Sequence, residues 1–336
     1  EELITAMTWL TMPGLLGPVF GPPVGGLLSD AFSWRAVFWL NIPVGIIGLL
    51  LVWRFIPEVE KQDPGPLDMR GVTLWGLAIA SFMAGLETIG RPIAPEWFAP
   101  SMMVAGIGCC IFAVRHSRRA RRPAVDLSLL KLSSFGIYMG SGSVFRIGAA
   151  ALPFLLPLML QLTFGYSAGA SGMVTFATAL GAFAMKPLVR PALKRWGFRT
   201  VLIVNGLLAV AFLMLCAAFT PAWPVWLIIL VLGIGGVTRA LQFTSMATLS
   251  FADVPQEKLA PATAMSGTMQ QLGLALGVVL GSLSLEVALL ATGNAAPGHA
   301  EFAIGFLIAG GVMLVSLPSL LRLPRDIGAR VSGHRG

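Results

Sequence analysis

Apolar residues in this chain gather into stretches of about 20 or more, separated by short polar and mostly basic segments, rather than recurring at a helical or strand period. A helix needs roughly 20 predominantly apolar residues to cross a hydrocarbon core of about 30 Å, so each stretch predicts a membrane span. Ten are predicted, over 3–29, 36–55, 71–89, 97–115, 134–162, 168–190, 200–219, 223–250, 260–291 and 301–322. Two neighbouring pairs are continuous in hydropathy and are divided only by turn chemistry, at Gly165-Tyr166-Ser167-Ala168-Gly169 and at Thr220-Pro221-Ala222-Trp223-Pro224.

Charge sharpens this pattern. Of 23 Lys and Arg residues, 19 fall in one set of loops: Arg54, Lys61 and Arg70; Arg115, Arg118, Arg119, Arg121, Arg122 and Lys131; Lys186, Arg190, Lys194, Arg195 and Arg199; Lys258; and Arg322, Arg325, Arg330 and Arg335. The alternate set holds only Arg35 and Arg91. Positive residues are retained on the cytoplasmic side during insertion, so the asymmetry predicts a multi-pass inner-membrane protein with both termini in the cytoplasm.

Composition excludes several classes. With 56% apolar and 11% charged residues and a mean hydropathy of +0.82, the chain has too little polar surface to cover a water-soluble particle. The net charge of +8 does not signal nucleic-acid binding, because the cations sit beside span ends and form no basic face interleaved with aromatics. They suit contact with anionic lipid headgroups instead. Cys109, Cys110 and Cys216 lie inside apolar spans as packing residues, and no metal or other cofactor is expected. An enzyme is not expected either, since His116, His299 and His334 occupy loop or terminal positions without a catalytic constellation around them. A channel would repeat a polar stripe through one pore, and the polar positions here are scattered.

The first span carries the most specific pattern. Gly17, Gly21 and Gly25 recur at i, i+4 and i+8, a small-residue stripe that predicts close approach to a neighbouring helix, and Gly26 follows directly. Pro18, Pro22 and Pro23 remove amide donors, which is tolerated in lipid only where packed protein satisfies the freed carbonyls. The run continues through Ser29-Asp30 and Ser33-Trp34-Arg35 to Asn41, Pro43 and Gly45. As a whole it resembles the antiporter signature of the major facilitator superfamily, and most closely its fourteen-helix EmrB/QacA-type drug:proton antiporters. Further matches are the stretch from Pro153 to Gln161, Arg195-Trp196-Gly197-Phe198-Arg199, Leu241-Gln242-Phe243-Thr244 and Gln270-Gln271-Leu272-Gly273.

The resemblance implies an all-α polytopic membrane protein of the major facilitator fold, with ten transmembrane helices of an expected fourteen and the first four absent. Residues 1–57 would then close the N-terminal bundle, 58–133 would hold the extra central helix pair and cytoplasmic linker, 134–323 the C-terminal six-helix bundle and 324–336 a cytoplasmic tail. It further implies proton-coupled efflux of drugs or other small amphipathic molecules by alternating access, with a periplasmic adaptor as a partner in many relatives. A chain lacking four helices is expected not to transport alone. The alternative is export of a specific metabolite, an anionic one in particular.

Ionisable groups inside a bilayer cost at least about 2.5–3.5 kcal/mol at a helix centre and normally face a cavity or a partner. Arg146 and Arg239 are the clear cases, and with Gln161, Gln242, Phe243 and Gln270 they form the expected substrate pathway. Phe145 and Met139 would supply adaptable apolar wall. Arg195, Gly197 and Arg199 resemble the superfamily's second, degenerate loop motif and are expected at a cytoplasmic gate. Glu87, Glu286 and Asp30 lie near external span ends, where they are expected to meet water rather than a dry cavity.

Overall fold

A computed structural model describes residues 20–55, 67–89, 94–321 and 323. Among these residues the regular structure is helical. The antiporter-like run forms α1 over 20–31, followed by α2 (Trp34–Phe55), α3 (Met69–Thr88) and α4 (Phe98–Arg119). A 3₁₀ turn over Leu127–Lys131 leads into α5 (Ser133–Leu162), which contains a π-helical turn over Tyr138–Gly142. Then come α6 (Ala168–Leu215), α7 (Val225–Ser250), α8 (Leu259–Thr292) and α9 (His299–Leu320). Gly17 and most of the first predicted span lie outside the described residues.

Eight of the described helical segments are long and apolar enough to cross a membrane, against the ten predicted. The difference has two sources. Only 20–31 of the first span is described, and α6 runs 48 residues where the sequence pattern divides 168–190 from 200–219. The division is still visible in the backbone, because Gly197 inside α6 has φ 71° and ψ 162°. That left-handed conformation is costly for any residue with a Cβ, and it breaks the helical path where a continuous helix would be about 72 Å long. Of the two predicted turns, 220–224 is non-helical throughout, whereas in the first only 165–167 is, with Gly165 at φ 70°, and Ala168 and Gly169 already open α6.

Lipid is the solvent these helices require. None of the 22 residues of α2 is buried, and Leu49 and Trp53 are 72% and 83% exposed. An apolar surface of this extent is stable only in hydrocarbon or against a partner.

Two compact units divide the chain, one of Glu1–Val59, Ser141–Thr248 and Gly273–Gly336, the other of Glu60–Gly140 and Leu249–Leu272. In the first unit, glycines bring helix backbones together. A Cβ at Gly236 or Gly181 would collide with the Thr178 or Gly233 carbonyl, so α6 and α7 pack backbone to backbone. Gly148 approaches the Ala309 carbonyl of α9 in the same way.

In the second unit, α3 and α4 pack through Gly71, Ala78 and Gly85 on one side and Gly106, Ala113 and Ser117 on the other, all buried. Asp68 caps α3, accepting from Gly71 N at 2.9 Å, and also lies 2.8 Å from His116 Nε2. Lys258 donates to Asp126 Oδ2 at 2.9 Å and to Ser128 Oγ at 2.6 Å.

These contacts join loops that the charge pattern assigns to one side: 67–70 with 116 and 124, and 126–128 with 258. Within the first unit, Asp30 of α1 meets the start of α6.

Candidate functional site

The antiporter-like helix α1 uses two stripes differently. Pro22 and Gly26, at i and i+4, face α6. A Cβ on Gly26 would stand 2.5 Å from the Ala168 carbonyl oxygen, and one on Gly172 would collide with the Pro22 carbonyl. Gly21 and Gly25, offset by one residue and about 100° of helical rotation, have no atom within 4 Å of a Cβ position and line a cavity. The close approach expected of the Gly17, Gly21, Gly25 stripe is therefore made, among the described residues, by its neighbour.

At the end of α1, Asp30 accepts hydrogen bonds from Ser167 Oγ at 2.7 Å and from Gly169 N at 2.6 Å. Ser167 is the N-cap of α6, accepting from Ala170 N at 3.2 Å. A carboxylate at a helix N-terminus meets unpaired amides and the positive end of the helix dipole. The bonds from Ser167 and then Gly169 hold the Asp30 carboxyl below its ordinary range. The sequence left this aspartate facing water; it is exposed, yet it ties two helices together.

The cavity beside these contacts has a volume of about 550 Å³ and is bounded by α1, the start of α2, the second half of α5, the first half of α6 and α7. Two prolines shape its α5 wall. Pro153 sits at the start of the helical run after Ala151, and Pro157 lies inside it. Each lacks the amide that would bond four residues back, so carbonyls on this wall are left to other donors. Independently of these freed groups, Ser171 Oγ of α6 ties the two helices together by donating to the Pro157 carbonyl at 3.4 Å.

Two of the expected pathway residues, Gln161 and Arg239, line this cavity together with Gly21, Pro22, Gly25 and Gly26. Among the described residues no carboxylate lies within ion-pair range of Arg239. Arg239 is the cationic residue of a wall whose other polar side chains, such as Gln161, Thr175 and Thr178, are neutral.

The other pathway residues are placed elsewhere. Arg146 stacks its guanidinium 4.5 Å from the Phe243 ring centroid, and Phe145 meets Phe243 edge to face at 5.9 Å. The Arg146 stem passes Gly273, where a Cβ would stand 2.8 Å from its Cδ. Gln242 is fully buried. Its Oε1 accepts from Asn205 Nδ2 at 3.0 Å and its Nε2 donates to the Leu202 carbonyl at 3.0 Å. Asn205 Nδ2 also donates to the Thr238 carbonyl at 2.8 Å, so the two amides knit α6 to α7. Asn205 was not singled out in the sequence, where a lone Asn in an apolar span has no visible partner.

Gln270 belongs to the second unit. It lies 3.5 Å from Ser266 Oγ, which also bonds the Tyr138 hydroxyl at 2.9 Å. That unit holds its own apolar cavity of about 760 Å³, lined in part by Met139, Met265 and Met269.

The expected gate residues lie around the α6 break. Gly197 carries the positive φ, Arg195 lies against Trp196 at 5.6 Å, and Arg199 Nη2 donates to the Leu321 carbonyl at 3.0 Å. Leu321 is the C-cap of α9, so Arg199 satisfies a helix-terminal carbonyl at the negative end of the dipole.

Comparison with known proteins adds to this geometry. The family model described as Major Facilitator Superfamily matches residues 1–152 and again 138–335. A Klebsiella pneumoniae protein is 30% identical over 340 residues, covering 98% of this chain and 70% of its own length. One from Pectobacterium carotovorum is 30% identical over 328 residues, covering 97% and 70%. An Escherichia coli protein is 28% identical over 342 residues, covering 100% and 71%. All three bear the name multidrug resistance protein MdtD.

Proposed function

Because this chain belongs to the Major Facilitator Superfamily, we propose that it serves as a proton-coupled exporter of drugs or other small amphipathic molecules, working by alternating access in the inner membrane. The observation that carries this reading is the cavity of about 550 Å³ built on the antiporter-like helix. Its volume falls within the range of about 300–1,000 Å³ that holds drug-sized ligands. Drug export is also what the names of the three relatives suggest.

The mechanism follows from how α1 is seated. A contact made by Pro22 and Gly26 against Ala168, Gly169 and Gly172 presents few interlocking side chains, so the two helices can part and re-form the contact at low steric cost. Asp30 on the α6 N-terminus closes one end of that contact. Gly21 and Gly25 leave the adjacent face open to substrate. Arg195, Gly197 and Arg199 act at the cytoplasmic side, where the break in α6 lets its two halves move separately. The chain crosses the membrane ten times with both termini in the cytoplasm, α6 counting as two crossings.

A second reading is favoured by one observation. Arg239 presents a guanidinium to the cavity with no carboxylate in range among the described residues, which suits an anionic metabolite better than a cationic drug.

Efflux measured in cells expressing the whole reading frame, with cationic and anionic fluorescent substrates in parallel, separates the two. Collapse of efflux by a protonophore is expected for either. Under the drug reading, Arg239→Gln leaves cationic substrates exported; under the metabolite reading it abolishes anionic export, and cationic substrates are not exported at all. Efflux that persists without a proton gradient overturns the proton-coupled mechanism.

A further inference from the structure

The second unit carries an apolar surface with a basic end, outside the cavity on which the proposed function rests. On α4, Val104, Ile107, Ile111 and Phe112 are 69%, 50%, 48% and 60% exposed. Their spacing places them on one stripe, away from the buried Gly106, Ala113 and Ser117 that pack on α3. This stripe ends in cations. Phe112, Arg115, His116 and Arg119, at i, i+3, i+4 and i+7, line an open recess of about 470 Å³ with Leu74 of α3.

Of the basic residues in this recess, only His116 has a carboxylate partner among the described residues. Neither α4 nor the recess contains an acidic residue, and among the described residues no carboxylate pairs with Arg115 or Arg119. The nearby Asp68 is committed to His116, Gly71 N and Ala124 N. Eleven residues separate Val104 from Arg115, about 16 Å at 1.5 Å per residue, which is close to the depth of one leaflet's hydrocarbon.

We propose that this surface is a binding site for an anionic glycerophospholipid, with an acyl chain along Val104, Ile107, Ile111 and Phe112 and the phosphate between Arg115 and Arg119. The match is of both kinds a lipid demands. Apolar surface runs the length of one leaflet, and two planar guanidinium forks stand at the depth of the headgroup, where they bind phosphate oxygens in bidentate fashion. A second copy of the chain fits this face poorly. A two-fold axis along the membrane normal would bring both Arg115–Arg119 pairs to the same depth, facing each other. The site rests on the membrane reading of the chain but not on what it transports, so its failure would leave the proposed export function standing.

The purified chain in zwitterionic detergent, titrated with dioleoyl phosphatidylglycerol, dioleoyl phosphatidylcholine or inorganic phosphate and followed by retained lipid in native mass spectrometry, tests the site. Phosphatidylglycerol is expected to bind saturably and to be displaced by neither of the others. R115Q/R119Q is expected to weaken it about tenfold or more, at the usual worth of two cations near an anionic headgroup. R121Q/R122Q, which removes equal charge from the adjoining loop, is expected to leave it within about twofold. Ile111→Ala/Phe112→Ala keeps the cations and shortens the apolar stripe; it should weaken phosphatidylglycerol as well, and it serves if the arginine variant does not fold. Equal losses in the two arginine variants would reduce the site to diffuse charge. Displacement by inorganic phosphate alone would make it a free-anion site, equal binding of phosphatidylcholine would remove the headgroup's role, and dimerisation through this face in place of lipid uptake would make it an interface. Any of these overturns the proposal.

Discussion

Single residues in the first unit separate into those that hold helices and those that face the cavity. Gln242 and Asn205 spend their amide groups on each other and on the Leu202 and Thr238 carbonyls. Side-chain hydrogen bonds between membrane helices average about 0.6 kcal/mol and reach about 1.7 kcal/mol. Gln242→Leu is therefore expected to lower stability by roughly 1 kcal/mol in thermal melts while leaving the range of exported substrates unchanged. Arg239→Gln should instead leave melting little changed, with export of anionic substrates lost only if the metabolite reading holds. Outside the spans, Asp126 illustrates a titratable tie. Burial pushes its carboxyl up, but the bonds from Ser128 and Lys258 together outweigh this and hold it below the ordinary 3.8. A carboxylate held low contributes its stabilisation fully above its ordinary value and loses it as pH falls through the lowered one. Melting temperature should thus be flat between pH 7 and pH 5 as far as this pair is concerned, and should fall below about pH 4. Asp126→Asn should remove part of that acid-side loss, at a cost of roughly 0.2–1 kcal/mol at neutral pH because Lys258 is 42% exposed. An unchanged acid slope in the variant would show that the pair is not coupled to folding.

At the level of elements, the pairing of α1 with α6 makes a sharp distinction between adjacent glycines. A Cβ at Gly26 meets backbone, the Ala168 carbonyl at 2.5 Å and Gly169 Cα at 3.0 Å, and neither can rotate away. Gly26→Ala should force the helices apart and destabilise by about 1–3 kcal/mol. Gly25→Ala puts its methyl into open space. It should be neutral or stabilising by up to about 1 kcal/mol through helix propensity, while narrowing the cavity enough to alter transport. Thermal melts of the two variants side by side check this, and equal effects would mean that the stripe facing α6 has been misassigned. α5 makes a related point: its prolines interrupt the helix's own hydrogen bonding, and in the folded chain they line a cavity wall that α6 ties down through the Ser171 bond to the Pro157 carbonyl.

For the whole molecule, the testable property is sidedness. The hydrogen bonds at Asp68, Lys258 and Arg199 join residues whose loops share the basic set, and Asp30 joins two loops of the other set. Single cysteines at 118 and 258, in a background with Cys109, Cys110 and Cys216 replaced, should react with a membrane-impermeant maleimide only in inside-out vesicles. Cysteines at 35 and 166 should react only in right-side-out cells. Labelling of 118 from outside would reverse the orientation and with it the direction of transport. The absence of any buried residue in α2 belongs to this scale as well. It follows from apolarity on all faces, which in water would be a defect and in lipid is the expected surface.

The chain alone carried the class of protein and the placement of most spans, because lipid imposes these demands segment by segment. Backbone amides must be satisfied within each helix, and cations must stay out of hydrocarbon, whatever the neighbouring helices do. What tertiary structure decided was which side chain meets which. Helical periodicity marks Gly21, Pro22, Gly25 and Gly26 as a small-residue surface but cannot say which of two stripes about 100° apart receives α6. It marks Gln242 and Arg239 alike as polar residues in one apolar span, although one is consumed between helices and the other borders a cavity. It also leaves Asp30 as an exposed aspartate, since the amides it accepts from lie 139 residues further along the chain. Those distinctions depend on where a second helix lies, and a sequence read one segment at a time holds no record of that.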